Sequence, residues 1–535
     1  MEKVRNFFNK NQKIFNILKA ALPYLFPILA FINLAVFLSG GTDNLINSDH
    51  SSELVLGKLL SEEGGLLSTN WFYSTEVRVL NTQIVYKTLF HFTNNWHLVR
   101  YLGCLINALI LSLSGGYITF TMGLKKFIPF VMGILLLPIS YQYFDIVLFG
   151  SYYVPHIAIT FVFLGFMFSL LKARKLYAKI IYIVLACLLA FVSCLGGLRQ
   201  LCILFAPMMM AVALMLFIKH KELKGLKLKE LITNPYVIFT GAAILTSLFG
   251  VWGYHISETE FRKYFAFHNF NYIYFTEFNW DRILETIKGF FNFYGYQHGD
   301  KVFSGQTLVN VATFLLMGFG IYSIYKVLKN HKDFTISQVF ISLFTAMGFA
   351  VMFIMYGFTD FEYTHRYLIP AAVMVYISYA NLLGGIKWKC SLKSIIAILL
   401  VVFMILPSNL TYAERGSTKG NNAIKQMAQI ILNKGCTEGY ATFWNANIMT
   451  EITDGKLKVR TWNTNAPIDV LDNYHRWLHV KDFGKKDAEG KVFLLFTTDE
   501  YNQSRLKDSL DMKGKVLNTT QYVLFVYDDY SDIYK

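Results

Sequence analysis

Asn47-Ser48-Asp49-His50-Ser51-Ser52-Glu53 is a polar stretch set between two long apolar runs, continued by Leu54 to Glu63 and closed by Gly64-Gly65. Ser and Asp side chains accept hydrogen bonds from the free amides of a helix's first turn, and glycine ends helices by taking the left-handed conformation. The stretch therefore predicts a short helix capped by Ser48 or Asp49 and stopped by the glycine pair. On that helix Asp49 and Glu53, four residues apart, share one face. Leu56, Leu59 and Leu60 sit on a neighbouring face, against membrane or protein. Two carboxylates on a short helix just outside a bilayer can seat general-base chemistry, and they can equally be capping and surface charges. The rest of the chain decides between the two.

Working outward, the 535 residues are 54% hydrophobic and only 16% charged, with a mean hydropathy of +0.39. That is too apolar for a soluble enzyme and fits a polytopic, predominantly α-helical membrane protein. Runs long enough to cross a bilayer, roughly 17 to 25 residues each, fall near 20–39, 98–120, 127–148, 153–171, 178–196, 200–218, 237–255, 306–328, 336–357, 367–385 and 392–407. About eleven transmembrane helices follow. Aromatics at 17% suit interfacial belts. The net charge of +15 lies in short basic clusters between apolar runs, which is the positive-inside pattern and argues against nucleic acid. The six cysteines form no CxxC pair, so neither a disulfide framework nor a zinc site is expected. The N-terminal Met1 to Lys19, with five basic residues ahead of an apolar run, reads as a retained signal anchor.

The basic clusters assign the sides: the N-terminus, Lys125-Lys126, Lys172 to Lys175, Lys219 to Lys229, Lys326 to Lys332 and Lys387 to Lys393 are expected to be cytoplasmic. The outward side then holds the long loops 40–97 and 256–305, the turn 149–152, the region around Arg199, the segment 358–366 and the tail from 408. Within the second loop, Ile283, Leu284, Ile287, Phe290 and Phe291 recur at helical spacing and predict an interfacial amphipathic helix. The chain divides into a transmembrane module, 1–407, and an extracytoplasmic C-terminal α/β domain, 408–535. The latter combines a helical pattern over Asn422 to Leu432 with strand-like runs at Tyr440 to Trp444, Val492 to Thr497 and Tyr522 to Tyr527.

Chemistry-bearing residues concentrate on the outward side. In loop 40–97, Asn70 to Arg78 offers Trp71 and Tyr73 as interfacial anchors, and Glu76 and Arg78 as partners for each other or for a ligand. Arg199, between two adjoining spans, must face a cavity or a partner or snorkel to the interface; a guanidinium there suits bidentate phosphate binding. The cluster Asp360 to Tyr367 places Arg366 at a helix start, where a phosphate is favoured, with His365 as a further donor; the same residues can form an interfacial ion-pair network. His156, Asp145, His268, Glu258 and Glu260 are further outward polar residues with ordinary structural readings. An outer face carrying carboxylates in its first loop and arginines near two later helix ends matches the needs of a lipid-linked phosphosugar. It supplies a base for an acceptor hydroxyl and cations for a departing phosphate.

On these residues the chain resembles the GT-C superfamily of integral-membrane glycosyltransferases, which includes protein O-mannosyltransferases, oligosaccharyltransferases and aminoarabinose transferases, and in particular its bacterial, polyprenyl-phosphate-sugar-dependent type. The matching segments are Ser48-Asp49 through Glu53 and His365-Arg366-Tyr367-Leu368-Ile369-Pro370, within a layout of outward loops, spans and an outward tail. The resemblance implies Asp49 as the catalytic carboxylate and Arg366, assisted by Arg199, as the donor-phosphate ligand. Many members carry adjacent acids, whereas here His50 follows Asp49 and the next acid is Glu53; this leaves open a share for Glu53 and the use of a divalent metal. The function expected is transfer of a sugar from a polyprenyl-phosphate donor to a cell-envelope glycan or glycolipid at the outer face of the cell membrane, with membrane lipids around the protein. A flippase of lipid-linked sugars and a non-catalytic envelope-assembly protein are the competing readings. A flippase should carry ionisable residues near the middle of its spans, and here the charges gather at span ends.

Overall fold

The computed structural model describes residues 20–77, 79–268, 273–299, 301–417, 420–462, 477–481, 490–504 and 515–533. Among them ten helices are long and apolar enough to cross a membrane: Leu22–Ser39, Trp96–Thr121, Val154–Lys172, Leu176–Cys194, Leu201–Lys224, Pro235–Tyr264, Gly305–Lys329, Ile336–Phe358, His365–Gly385 and Cys390–Gly416. The expected span at 127–148 is not one of them. Its helix Ile128–Ile134 stops ahead of Pro138, which has no N–H to give and would clash with the carbonyl of Ile134. Ser140 then caps a second start at Tyr141, which continues as a π-helix over Phe144–Phe149. The Tyr143 hydroxyl donates to the carbonyl of Leu135 at 2.6 Å, satisfying one acceptor freed by the break. Residues 133–140 are all buried, so the broken backbone meets protein and not lipid.

This broken segment is nevertheless an eleventh crossing. The first loop and the C-terminal domain touch: Ser48 Oγ donates to the Phe443 carbonyl at 2.6 Å, and Asn447 donates to Ser52 Oγ at 2.8 Å. Both therefore lie on one face, which requires an odd number of crossings between them and the start of the first span. The basic clusters of the connecting turns then share the opposite face. At the centre stands His365–Gly385, with 89% of its most apolar window buried, against 17% for Cys390–Gly416 at the periphery. The central span thus begins at Arg366, beneath the loops of the first face.

Two loop helices behave as their patterns predict. Ser48–Glu63 ends where Gly64 takes φ +77 and its amide returns to the Leu60 carbonyl, but its cap is Asn47, one residue earlier than expected. Asn47 has the extended backbone that a cap needs, while Ser48 and Asp49 are already helical. The amphipathic helix Trp280–Phe293, capped by Asn279, buries Ile283, Phe290 and Phe293 and leaves Leu284 and Ile287 exposed.

In the C-terminal domain the helix Asn422–Asn433 precedes β2 (Glu438–Ala441), a helix Phe443–Ile452, β3 (Lys458–Thr461), β5 (Val492–Thr497), β6 (Lys515–Asn518) and β7 (Tyr522–Tyr527). The sheet order is β3-β2-β5-β7-β6, with β3, β2 and β5 parallel and β7 and β6 antiparallel. The strand read over Tyr440 to Trp444 stops at Ala441, because Phe443 and Trp444 open the helix that packs on the first loop. The last span runs on to Gly416 with Pro407 inside it, nine residues beyond the apolar run that marked it. A second, two-stranded sheet ties the domain to the loop: β1 (Trp71–Phe72) pairs antiparallel with β4 (His479–Val480).

Candidate active site

The helix Ser48–Glu63 is fixed at its start by a reciprocal cap. The Asn47 side chain accepts from the His50 amide at 3.0 Å, and His50 Nδ1 accepts from the Asn47 amide at 3.3 Å. His50 therefore fills the place a Glu or Gln takes in the usual capping box. With Nδ1 an acceptor, the proton lies on Nε2, which donates to the Asp145 carbonyl at 3.0 Å. Burial, and then the Arg100 charge, hold the His50 imidazole well below its ordinary pKa, so it is neutral. His50 is thus a structural residue, whereas the Asp49 side chain beside it is partly exposed.

Asp49 faces a narrow cleft lined by Glu53, Ser74, Thr75, Tyr152, Tyr153, Arg199, Arg366 and the C-terminal domain's Trp477 and Leu478. Its carboxylate stands 3.7 Å from the Arg366 guanidinium, both side chains partly exposed. Arg366 lies against the Tyr367 ring, and its Nε has no partner among the described residues. Glu53 is buried one turn below Asp49 and accepts from Thr82 Oγ1 at 2.9 Å. Arg199 sits between the Tyr153 and Tyr367 rings and pairs with Glu76 at 3.2 Å. Burial alone would raise the Glu76 carboxyl; Arg199 and His156 outweigh it and hold the group at about 2. Gln200 meets His156 Nδ1 at 3.3 Å, and His156 Nε2 lies 3.4 Å from Glu76. Glu76 is therefore the anchor of Arg199.

The structure thus gathers Asp49, Glu53, Arg199 and Arg366 around one cleft, with Glu76 directly behind it. His365 is not among its lining. Its ring turns to the Tyr363 hydroxyl, 3.0 Å away, over the amphipathic helix. Arg78 lies outside the described residues. Among the described residues no three His, Cys, Asp or Glu side chains converge as a metal site.

Several lining residues escape a reading of the sequence. Tyr152 and Tyr153 follow Ser151, a buried non-glycine residue at φ 62, and such strain is tolerated where a turn must present particular side chains. Gly150 and the Tyr-Tyr-Val-Pro sequence marked a turn there, not its orientation. Trp477 and Leu478 reach the cleft because β4 pairs with β1 and because Asn447 donates to the Leu478 carbonyl at 2.9 Å. The Trp477 ring lies 5.3 Å from that of His268. No local pattern announces a contact between segments 400 residues apart.

No family model and no curated protein matches the chain by sequence. Among solved structures it is similar to ArnT from Cupriavidus metallidurans bound to undecaprenyl phosphate, at 12% identity and a TM-score of 0.52, over 94% of this chain and 97% of that one. It is also similar to the archaeal oligosaccharyltransferase AglB from Archaeoglobus fulgidus, in complex with an inhibitory peptide and a dolichol-phosphate, at 12% identity and a TM-score of 0.48, over 89% and 70% of the two chains. The near end-to-end likeness to ArnT establishes the fold: a polytopic GT-C architecture with a small strand-containing C-terminal region.

Proposed function

We propose that this chain is a membrane glycosyltransferase that moves a sugar from a polyprenyl-phosphate-linked donor to a hydroxyl of a cell-envelope glycan or glycolipid at the outer face. The observation that carries the reading is the Asp49 carboxylate set 3.7 Å from the Arg366 guanidinium in one cleft, in a fold shared with a protein solved bound to undecaprenyl phosphate. The basic turns all fall on the face opposite the cleft, which by the positive-inside rule is the cytoplasmic one. The cleft is then extracytoplasmic.

In this reading Asp49 takes the proton of the acceptor hydroxyl as its oxygen attacks the anomeric carbon. The bond from that carbon to the phosphate oxygen breaks, and its electron pair leaves with the lipid phosphate. Arg366 meets the charge growing on that oxygen, and a guanidinium presents two parallel N–H groups to a phosphate. Arg199, already paired with Glu76, contributes field and shape more than a free charge. Glu53 supports the Asp49 helix through Thr82. The proton on Asp49 returns to solvent through the partly exposed side of the cleft.

The flippase reading is disfavoured by where charge sits. Ionisable side chains in the described spans, such as Arg100, Lys172, Lys326, Arg366 and Arg415, lie near span ends. The test is native mass spectrometry of the purified protein with undecaprenyl phosphate. Wild type should carry one bound lipid phosphate that Arg366→Ala loses; a wild type that binds none sinks the donor assignment.

A further inference from the structure

A second pocket, of about 410 Å³, opens on the same face between the restart of the broken crossing, the turn after the amphipathic helix and the end of the last span. Its size falls within the range of small-molecule sites, about 300 to 1,000 Å³. One wall is a turn that the fold holds rigidly. The Tyr294 hydroxyl donates to the Ala372 carbonyl and Thr313 Oγ1 to the Tyr294 carbonyl, each at 2.8 Å. Gln306 donates to the Gly295 carbonyl, and Asn310 to the Gln297 carbonyl, each at 2.9 Å. Gly295 takes φ +98, and a Cβ there would meet the Ile139 carbonyl at 2.7 Å, so no other residue passes this point without moving the wall.

The lining is polar without being cationic. Tyr141, Gln142, Asn292, Tyr296, Gln297 and Glu414 surround a floor that includes Pro407 and Leu410; no Lys or Arg is among the lining residues, and the one lining side chain able to take a positive charge, His298, shares the pocket with the Glu414 carboxylate. Amide and carboxylate groups on neighbouring positions offer both donors and acceptors to adjacent hydroxyls, and tyrosine rings cover the C–H face of a sugar. A phosphate or an acidic sugar would meet the Glu414 carboxylate and no lysine or arginine of the lining, since Arg415, beneath the Tyr141 ring, is paired with Asp145. We propose that this pocket is a saccharide-binding site, distinct from the Asp49 cleft, for a hydroxyl-rich ligand without negative charge. It is joined to the cleft by a short chain of contacts. Arg415 lies 4.4 Å over the Tyr141 ring and 3.3 Å from Asp145, whose carboxylate is 3.6 Å from His50, the neighbour of Asp49.

The experiment is a saturation-transfer NMR titration of the full-length, detergent-solubilised protein with chitobiose, cellobiose and maltose, and with glucose 1-phosphate as the anionic control. At least one neutral disaccharide should bind wild type and Asp49→Asn equally, and bind at least about tenfold more weakly to Gln142→Ala/Glu414→Ala, which removes two or more hydrogen bonds. Glucose 1-phosphate binding should not respond to the pocket variant. An unchanged elution volume and thermal midpoint verify the fold. Absence of binding by all three disaccharides, or binding that Gln142→Ala/Glu414→Ala leaves intact, would overturn the proposal. Loss of binding in Asp49→Asn alone would do the same, by placing the sugar in the other cleft. Binding is read without turnover, so the result stands apart from the transferase assignment.

Discussion

Arg100, at the start of the second span, donates to both oxygens of Glu451 in the C-terminal domain, at 2.8 and 2.7 Å, and neither side chain is appreciably exposed. The same guanidinium donates to the His50 carbonyl at 2.8 Å. One buried cation therefore clamps the membrane bundle, the Asp49 helix and the C-terminal domain together. The C-terminal domain is a wall of the cleft, held in place from below.

Removing one partner of a buried pair strands the other, at a cost of about 3 to 5 kcal/mol. Glu451→Ala should lower the thermal midpoint of the solubilised protein by the equivalent of that loss and should reduce transfer as the cleft loosens. A variant as stable as wild type would show that the pair is solvated in practice.

His50 supplies a pH dependence whose sign follows from its depressed pKa. The unfolded state takes up a proton near 6.5 and the buried native imidazole does not. Stability is therefore full above that value and is lost as the pH falls below it, by up to about 1.4 kcal/mol per pH unit. His50→Gln keeps a side chain able to complete the cap and removes the titration. The thermal midpoint of wild type should fall more steeply between pH 7 and 5 than that of His50→Gln. Parallel curves would contradict a buried neutral histidine.

The two cleft arginines should not be equivalent. Among the described residues the carboxylate beside Arg366 is the partly exposed Asp49, 3.7 Å away, while Arg199 is bound at 3.2 Å to a Glu76 held ionised at about 2. Arg366→Ala should weaken undecaprenyl phosphate binding by about 10- to 100-fold, the worth of a charge-assisted contact of 1.5 to 3 kcal/mol, and Arg199→Ala by less. Arg366→Lys should recover only part, since an ammonium lacks the planar fork. Equal losses in both alanine variants would mean that Arg199 is as free as Arg366.

Trp477 reaches the cleft from the C-terminal domain, its ring near His268. Trp477→Ala should raise the KM for the sugar substrate about tenfold, the order of one lost ring-stacking contact of about 1.5 kcal/mol, without shifting the thermal midpoint, and Trp477→Phe should restore most of it. An unchanged KM in Trp477→Ala would leave the residue a mere cover.

Local chemistry made much of this legible. Apolar length announced ten continuous spans, the glycine pair announced the end of the Asp49 helix, and spacing announced the amphipathic helix. Asp49 and Arg366 were both visible within short polar clusters beside apolar runs, where charge needs a reason. Hydropathy could not show the break at Pro138, because both halves of the segment are apolar and the freed Leu135 carbonyl is satisfied by the buried Tyr143 hydroxyl within it. The same holds for His365, whose neighbour Arg366 turns into the cleft while its own ring turns to Tyr363. Adjacent residues on a tight 3₁₀ turn point in different directions, and sequence adjacency does not say which. Trp477 and Glu451 were illegible for a simpler reason: their roles depend on the domain docking against the first loop.

The central claim, that Asp49 serves sugar transfer in a cleft shared with Arg366, is tested most directly by the sugar composition of envelope glycopolymers. Cells lacking the protein would be complemented with wild type or Asp49→Asn at equal membrane abundance. The account predicts that one sugar disappears without the protein, returns with wild type and stays absent with Asp49→Asn. Full restoration by Asp49→Asn would contradict it.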